Sequence, residues 1–371
     1  MKTTLTAFRA DIGGIGGHLQ PSEQAVAAVR NLLEKKRPAS ILDFDIHFTG
    51  DDITVLCSQS GESSQTDVVE MLFEAFSFGS RTAADQGLYG AGQDIFEKQI
   101  RNTAKQKFGP SLAQIRFEER DNEAFLVFSI DKALPGAFNL PLYLAFADPM
   151  HAPGLILSPL LRHGFRFDIM DVVYKEYDRV IALEAPEDIY NLATLLRDEG
   201  RFAIRSIHSR GTGLQAAAVS TTRLHNVAGY LLGKDDPVAI VRVQEAFPAA
   251  GEVLAPFAIG PYVGGYMRGS HYGPLMPVRL DSGVSFFDGP PSVSCAAHCV
   301  RDGRLTPVND PFDHPFWDTI RSRISDKALD LRRQGFFGNA MQPFDTLSAG
   351  GFVNILTQLD ERFVIEKTPY S

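Results

Sequence analysis

Four short stretches set an aspartate beside glycine, histidine or lysine: DIGGIGGH from Asp11 to His18, TGDD ending in Asp51 and Asp52, SIDK with Asp131 and Lys132, and GKDDP with Lys234, Asp235 and Asp236. Carboxylate oxygens are the donors that magnesium selects, in company with water and substrate phosphate. Each stretch also has a plainer reading, because Asp, Gly and Pro are favoured turn residues. DIGGIGGH places Leu19 where a dinucleotide fingerprint needs its third glycine, and it lacks the lysine of a nucleotide-triphosphate loop. Adjacent aspartates point apart on a strand, so the Asp51–Asp52 doublet serves one ion only from a turn, or else bridges neighbouring ions. Lys234 is the residue with a nucleophile's chemistry. A lysine amine is protonated at neutral pH, and two bare aspartates would hold it so; with divalent metal on Asp235 and Asp236 the local field reverses and a neutral amine becomes attainable.

The elements that must position these residues are read from periodicity. Alternation predicts strands at TTLTAFRAD, ILDFDIHF and ITVLCSQ, then at AQIRFEER, AFLVFSID, RVIALEA, RFAIRSIHS and PVAIVRVQ. Helical spacing of Ala25, Val29, Leu32 and Leu33 predicts a helix over PSEQAVAAVRNLLEKK, and Val69, Leu72, Phe73 and Phe76 predict another from Thr66 to Ala84. Further helices are predicted at PEDIYNLATLLRDEG and from Pro311 to about Arg333. Strands alternating with helices predict an α/β or α+β fold in one large compact domain. The Gly- and Pro-rich run from Pro261 to Pro291 is expected to be a functional loop region or lid.

The chain of 371 residues carries a net charge of -9, which argues against a nucleic-acid partner, since a polyanion needs a basic face. No stretch offers a membrane span and MKTTLTAFRA has no leader pattern, so a cytoplasmic protein is expected. Cys57, Cys295 and Cys299 lack metal-ribbon spacing. CAAHC places His298 between two of them, but with no second cluster the cysteines are expected to be small buried hydrophobes.

Taken together, RADIGGIGGH, TGDD, LYGAGQD, IDK, PGAFNLPLY, FADP, GKDDPVAIVRVQ, MRGSHYGPLMPV and FDGPP, in this order over nearly the whole chain, resemble the fructose-1,6-bisphosphate aldolase/phosphatase family of archaea and deeply branching bacteria. The resemblance implies a four-layer α-β-β-α sandwich, one domain with mobile loops around 89–110, 225–240 and 335–352, and a homo-octamer. It implies an enzyme that uses several Mg2+ ions, condenses dihydroxyacetone phosphate with glyceraldehyde 3-phosphate, and removes the 1-phosphate of fructose 1,6-bisphosphate. By the same resemblance Asp11, His18, Asp51, Asp52, Gln93, Asp131, Asp235 and Asp236 would hold magnesium, Lys234 would form a Schiff base, and Asp11 would activate water. His18, Tyr89, Asn102, Asp131, Lys132, Gln244, Arg268 and Asp288 would contact the sugar phosphate.

The sequence departs from the resembled family at Leu231, where an acid/base tyrosine is expected three residues before the lysine, with Tyr230 one residue earlier as the substitute catalytic hydroxyl. A second tyrosine near the C-terminus also has no match, since none occurs between Tyr272 and Tyr370. These departures raise two alternatives: a phosphatase without aldolase chemistry, or an enzyme for another sugar phosphate. A non-catalytic sugar-phosphate sensor is the alternative of a different class.

Overall fold

A computed structural model describes residues 1–61, 65–95, 110–174, 178–220, 225–227, 230–232, 236–265, 271–284, 290–333 and 350–366. Lys234, Asp235, Asn102, Arg268 and Asp288 lie outside the described residues, as do the side chains of Tyr230 and Leu231.

Two sheets form the middle of the molecule. The first has four antiparallel strands in the order Ile41–Thr49, Asp52–Ser60, Lys2–Asp11 and Ser111–Glu118. The second, larger sheet centres on Ala124–Asp131, flanked by Val238–Val243 and Ser292–Arg301. Strand alternation assigns each side chain to a layer. Leu5 and Ala7 point between the sheets and join Leu56, Ile115, Phe125, Val127 and Ile240. Phe8 and Ala10 point outward, where Glu23–Lys36 and Gln65–Asp85 cover them through Val29, Leu33, Val69, Leu72 and Phe76. On the far side Leu126, Phe128 and Ile130 meet Phe138, Leu142, Phe165 and Phe257 beneath the remaining helices. Three apolar interfaces between four layers make the α-β-β-α sandwich.

The first helix starts where its sequence says it should. Ser22 caps it, its hydroxyl accepting from the Ala25 amide at 3.1 Å, and Lys35 and Lys36 close the other end. The predicted helix at Pro311 begins instead at Pro315, because Asp310 first turns the chain by accepting from the Phe312 amide. Cys57 and Cys295 are buried as expected, whereas Cys299 is exposed: it stands opposite Ala124, at the last rung its strand shares with the Ala124–Asp131 strand. Part of the Pro261–Pro291 run is built into the sheet system, with Tyr262–Gly265 pairing His271–Pro274 and Met276–Pro277 pairing the Ser292–Arg301 strand.

At the end of the sandwich opposite the strand-end acids, Arg242 and Glu123 form a buried ion pair between the sheets, at 2.7 and 2.9 Å. The guanidinium also lies over the Phe117 and Phe247 rings. Glu123 accepts from Arg120 as well, so truncating it strands two cations, one of them fully buried. Glu123→Ala is expected to lower stability by about 3–5 kcal/mol, read by urea denaturation.

Glu199 has a positional role. Its carboxylate accepts from the Gly264 amide and its carbonyl from Gly136, tying the Tyr262–Pro274 hairpin to the turn after Lys132. Burial raises its pKa to about 8, from an ordinary 4.5. Between these values the folded chain keeps a proton that the unfolded chain has lost, so this contribution to stability is complete below about pH 4.5 and declines as pH rises to about 8. Melting temperature should fall over that window, and Glu199→Gln should flatten the fall.

Candidate active site

Along the face between the sheets, each central strand changes character toward the same end. Leu5 and Ala7 give way to Arg9 and Asp11, Leu56 to Thr54 and Asp52, Phe125 and Val127 to Ser129 and Asp131, and Ile240 and Val238 to Asp236. Because the strands are in register, these changes line up: Asp11 stands opposite Asp52, and Arg9 opposite Thr54. Thr54 and Ser129 hydroxyls meet at 3.0 Å across the gap, and those of Thr49 and Ser294 at 2.5 Å.

The acids gather in two groups, Asp11 with His18 and Asp51, and Asp52 with Asp131 and Asp236, the donor atoms of each group lying within 4.8 Å of one another. Lys132 joins them, its Nζ 3.1 Å from Asp51 Oδ1 and 3.2 Å from Asp131 Oδ2. Asp51 and Asp52 thus do occupy a hairpin turn, and the turn is what splits the doublet between the two groups. Gly50 permits it: its φ is +63°, and a Cβ there would run into the Asp131 carboxylate.

His18 Nδ1 lies 2.5 Å from Asp51 Oδ2 and 3.6 Å from Asp11 Oδ2. Hydrogen bonds to Asp11 and Asp51 raise its pKa to about 10, so without metal it is an imidazolium. The glycine-rich segment presents it: Gly14–Ile15 pairs with Gln20–Pro21, and Gly14 exchanges hydrogen bonds with Tyr89 at 2.9 and 3.2 Å. Tyr89 packs edge-on against the His18 ring at 5.1 Å and is otherwise exposed at the rim. Asp11 Oδ2 accepts from Gln93, and Asp11 Oδ1 from the Gly13 amide at 2.7 Å. Asp236 accepts from the Ala133 amide at 2.9 Å.

Burial raises the Asp131 pKa to about 8, and the charges of Asp51, Asp236 and Asp52 add to that against the opposing pull of Lys132. Burial alone would depress Lys132, but Asp131, Asp51 and Asp236 outweigh it and keep the amine charged. The Asp52, Asp131 and Asp236 group is all carboxylate, and with burial and like charge raising the pKa of Asp131 it fits a hard divalent cation.

Sequence reasoning passed over two residues. Asp94, fully buried, accepts from the Asp11 amide at 2.9 Å. Arg9, also fully buried, sets its guanidinium 3.1 Å from Asp52 Oδ2 and donates to the Thr49 carbonyl and the Thr54 hydroxyl. Its signal was its parity with Asp11. Gln244 is not brought to this cluster within the chain: it follows the other end of the Val238–Val243 strand from Asp236, on the order of 20 Å away at a strand's rise per residue. There its carbonyl accepts from Arg120.

The profile described as Fructose-1,6-bisphosphatase matches residues 2–364. The chain belongs to this family. It is 48% identical over 363 residues to the fructose-1,6-bisphosphate aldolase/phosphatase of Thermus thermophilus, covering 98% of this chain and all of the relative. It is 40% identical to the proteins of the same name from Methanothermobacter marburgensis, with 98% of this chain and 99% of that protein covered, and Sulfurisphaera tokodaii, with 100% and 96% covered. Within the family fold, the strand ends therefore carry a site able to hold metal.

Asp131 offers a direct check. In the metal-free protein at neutral pH its carboxyl holds a proton, so Asp131→Asn should change metal-free melting temperature little. Added divalent metal is expected to raise the melting temperature of the parent chain, and that rise should be reduced or lost in the variant.

Proposed function

We propose that the chain hydrolyses the 1-phosphate of fructose 1,6-bisphosphate to give fructose 6-phosphate, and forms that bisphosphate from dihydroxyacetone phosphate and glyceraldehyde 3-phosphate. The observation that carries this reading is the convergence of Asp11, Asp51, Asp52, Asp131 and Asp236 around Lys132 at the strand ends. Mg2+ ions held by these acids, with Asp235, His18 and Gln93, would neutralise phosphate charge and lower the pKa of bound water. Asp11, fixed by Gln93 and the Gly13 amide, takes a proton from the water that attacks phosphorus. Lys132 offers a point charge to phosphate and Arg268 its planar fork, while Tyr89, Asn102 and Asp288 complete the sugar contacts. Lys234 forms a Schiff base with dihydroxyacetone phosphate, and Tyr230 is the hydroxyl available for proton transfer in the aldol step. One domain, a homo-octamer and a cytoplasmic location belong to the same proposal; of the loops expected at 89–110, 225–240 and 335–352, residues 96–109, 228–229, 233–235 and 335–349 lie outside the described residues. Among the described residues no helix is long and apolar enough to cross a membrane.

A second reading, phosphatase without aldolase activity, is favoured by one feature of the sequence: Leu231 cannot move a proton. Two measurements separate the readings. Purified protein with magnesium should release phosphate from fructose 1,6-bisphosphate, and Asp11→Asn should lower kcat by about 100-fold or more. No release with any divalent metal would overturn both readings. Borohydride with dihydroxyacetone phosphate should trap a covalent adduct on the parent chain but not on Lys234→Ala; an untrapped parent that still releases phosphate would establish the second reading.

A further inference from the structure

A second cluster of metal-ligating side chains lies away from the strand-end acids, at the margin of the space between the sheets. Asp45 and His47 stand two residues apart on the Ile41–Thr49 strand and so share one face, the face turned toward the second sheet. Facing them is His298 of the Ser292–Arg301 strand, 3% exposed. One ligand atom from each of the three lies within 4.8 Å of the others.

The hydrogen bonds around His298 define its tautomer. Its Nδ1 lies 2.9 Å from the Thr306 carbonyl, which can only accept, so Nδ1 carries the proton and Nε2 keeps its lone pair. Burial lowers the pKa of the ring and keeps it neutral. Nε2 is buried and has no hydrogen-bond partner among the described residues; it faces Asp45 Oδ2 at 3.5 Å. Two electron-rich acceptors therefore confront each other with nothing between them, an arrangement that costs free energy until a cation or proton is shared. The nearest proton does not serve, because His47 Nε2 is directed at Asp45 Oδ2 at 2.9 Å.

We propose that Asp45, His47 and His298 bind one first-row transition-metal ion of the zinc type, as a structural clamp between the two sheets. Two imidazole nitrogens and one carboxylate suit such an ion, whereas magnesium prefers oxygen throughout. Donors around a tetrahedral zinc stand about 3.3 Å apart, given bond lengths of about 2.0–2.2 Å, and the Asp45–His298 separation already meets that. Each imidazole also has an outer partner on its other nitrogen. His298 Nδ1–H goes to the Thr306 carbonyl, and His47 Nδ1 is 3.6 Å from Asp281 Oδ2. Asp45 and His47 are partly exposed, which leaves a path for the ion and a place for a water ligand. Asp281 in turn holds the Phe48 amide at 2.9 Å, so the clamp would fix the strand that runs on into the Asp51–Asp52 turn.

The competing arrangement is an imidazolium at His47 shared by the two carboxylates. Burial alone would lower the His47 pKa, but hydrogen bonds to Asp281 and Asp45 carry it to about 9 without metal. Binding must therefore displace a proton.

The test uses the full chain, stripped with chelator, then saturated with magnesium and titrated with Co2+. The parent should bind one more Co2+ per chain than His298→Gln, show a visible absorption band that Zn2+ bleaches, and gain melting temperature with Zn2+. His298→Gln, which keeps a donor for Thr306, should lose the band and bind at least tenfold more weakly at this position. Asp131→Asn, which damages the other site, should keep the band. Should His298→Gln not fold, His47→Gln at the margin gives the same comparison. A parent with no such band, or equal cobalt binding and equal bands in parent and variant, would overturn the clamp and leave the shared imidazolium.

Discussion

Antiparallel register sets Asp11 directly opposite Asp52, and the rest of this end of the molecule answers to that pairing. Like charges facing each other across a ladder are destabilising, and here Asp51, Asp131 and Asp236 crowd the same space. Burial removes the water that would screen them. The fold meets the repulsion with two buried cations and one partly exposed: Arg9 against Asp52, Lys132 between Asp51 and Asp131, and His18 at the rim between Asp11 and Asp51. The raised pKa of Asp131 marks where this compensation falls short within the described residues, and where a bound cation has most to gain.

A rigid frame lets the acids stay together. Breaking one buried charge out of its pair costs several kcal/mol, so Arg9 and Lys132 are as much part of the folded core as the Phe8 beside them. Arg9 donates to a backbone carbonyl and a hydroxyl as well as facing Asp52, which spends its donors on fixed partners rather than on mobile ones. Lys132 adopts a positive φ of 65°, a conformation disfavoured for a residue with a side chain, and so turns the chain out of the strand while its amine reaches back to the acids. The hairpin from Gly14 to Pro21 brings His18 over the cluster by the same logic, with glycine where the backbone must turn.

Much of this was legible in the sequence, and the failures have physical causes. Alternation revealed the Lys2–Asp11, Asp52–Ser60 and Ala124–Asp131 strands, and the aspartates at their ends were visible as site candidates. The Gln215–Val219 strand was missed because its run of alanines offers no contrast between faces, and Ser292–Arg301 because small polar residues line a face that is buried. The Asn139–Phe146 helix is apolar nearly all round, so no stripe announces it. Arg9 was passed over, since a fully buried arginine is rare and only the second sheet makes it so. Asp94 sits in a motif that was recognised, but its acceptor role toward the Asp11 amide depends on a turn that spacing does not reveal.

The polarity gradient between the sheets explains why one gap can serve as both core and site. At one end Leu5, Phe125 and Ile240 exclude water and hold the sheets in contact. Hydroxyls of Thr54, Ser129 and Ser294 follow, each with a partner across the gap, so the change of character leaves them satisfied. The acids come last, where the strands end and solvent can deliver ions and substrate. A register slip of one residue in any of these strands would turn its inter-sheet face outward and carry its aspartate away. The apolar end therefore does more than stabilise: by locking register, it determines which carboxylates meet.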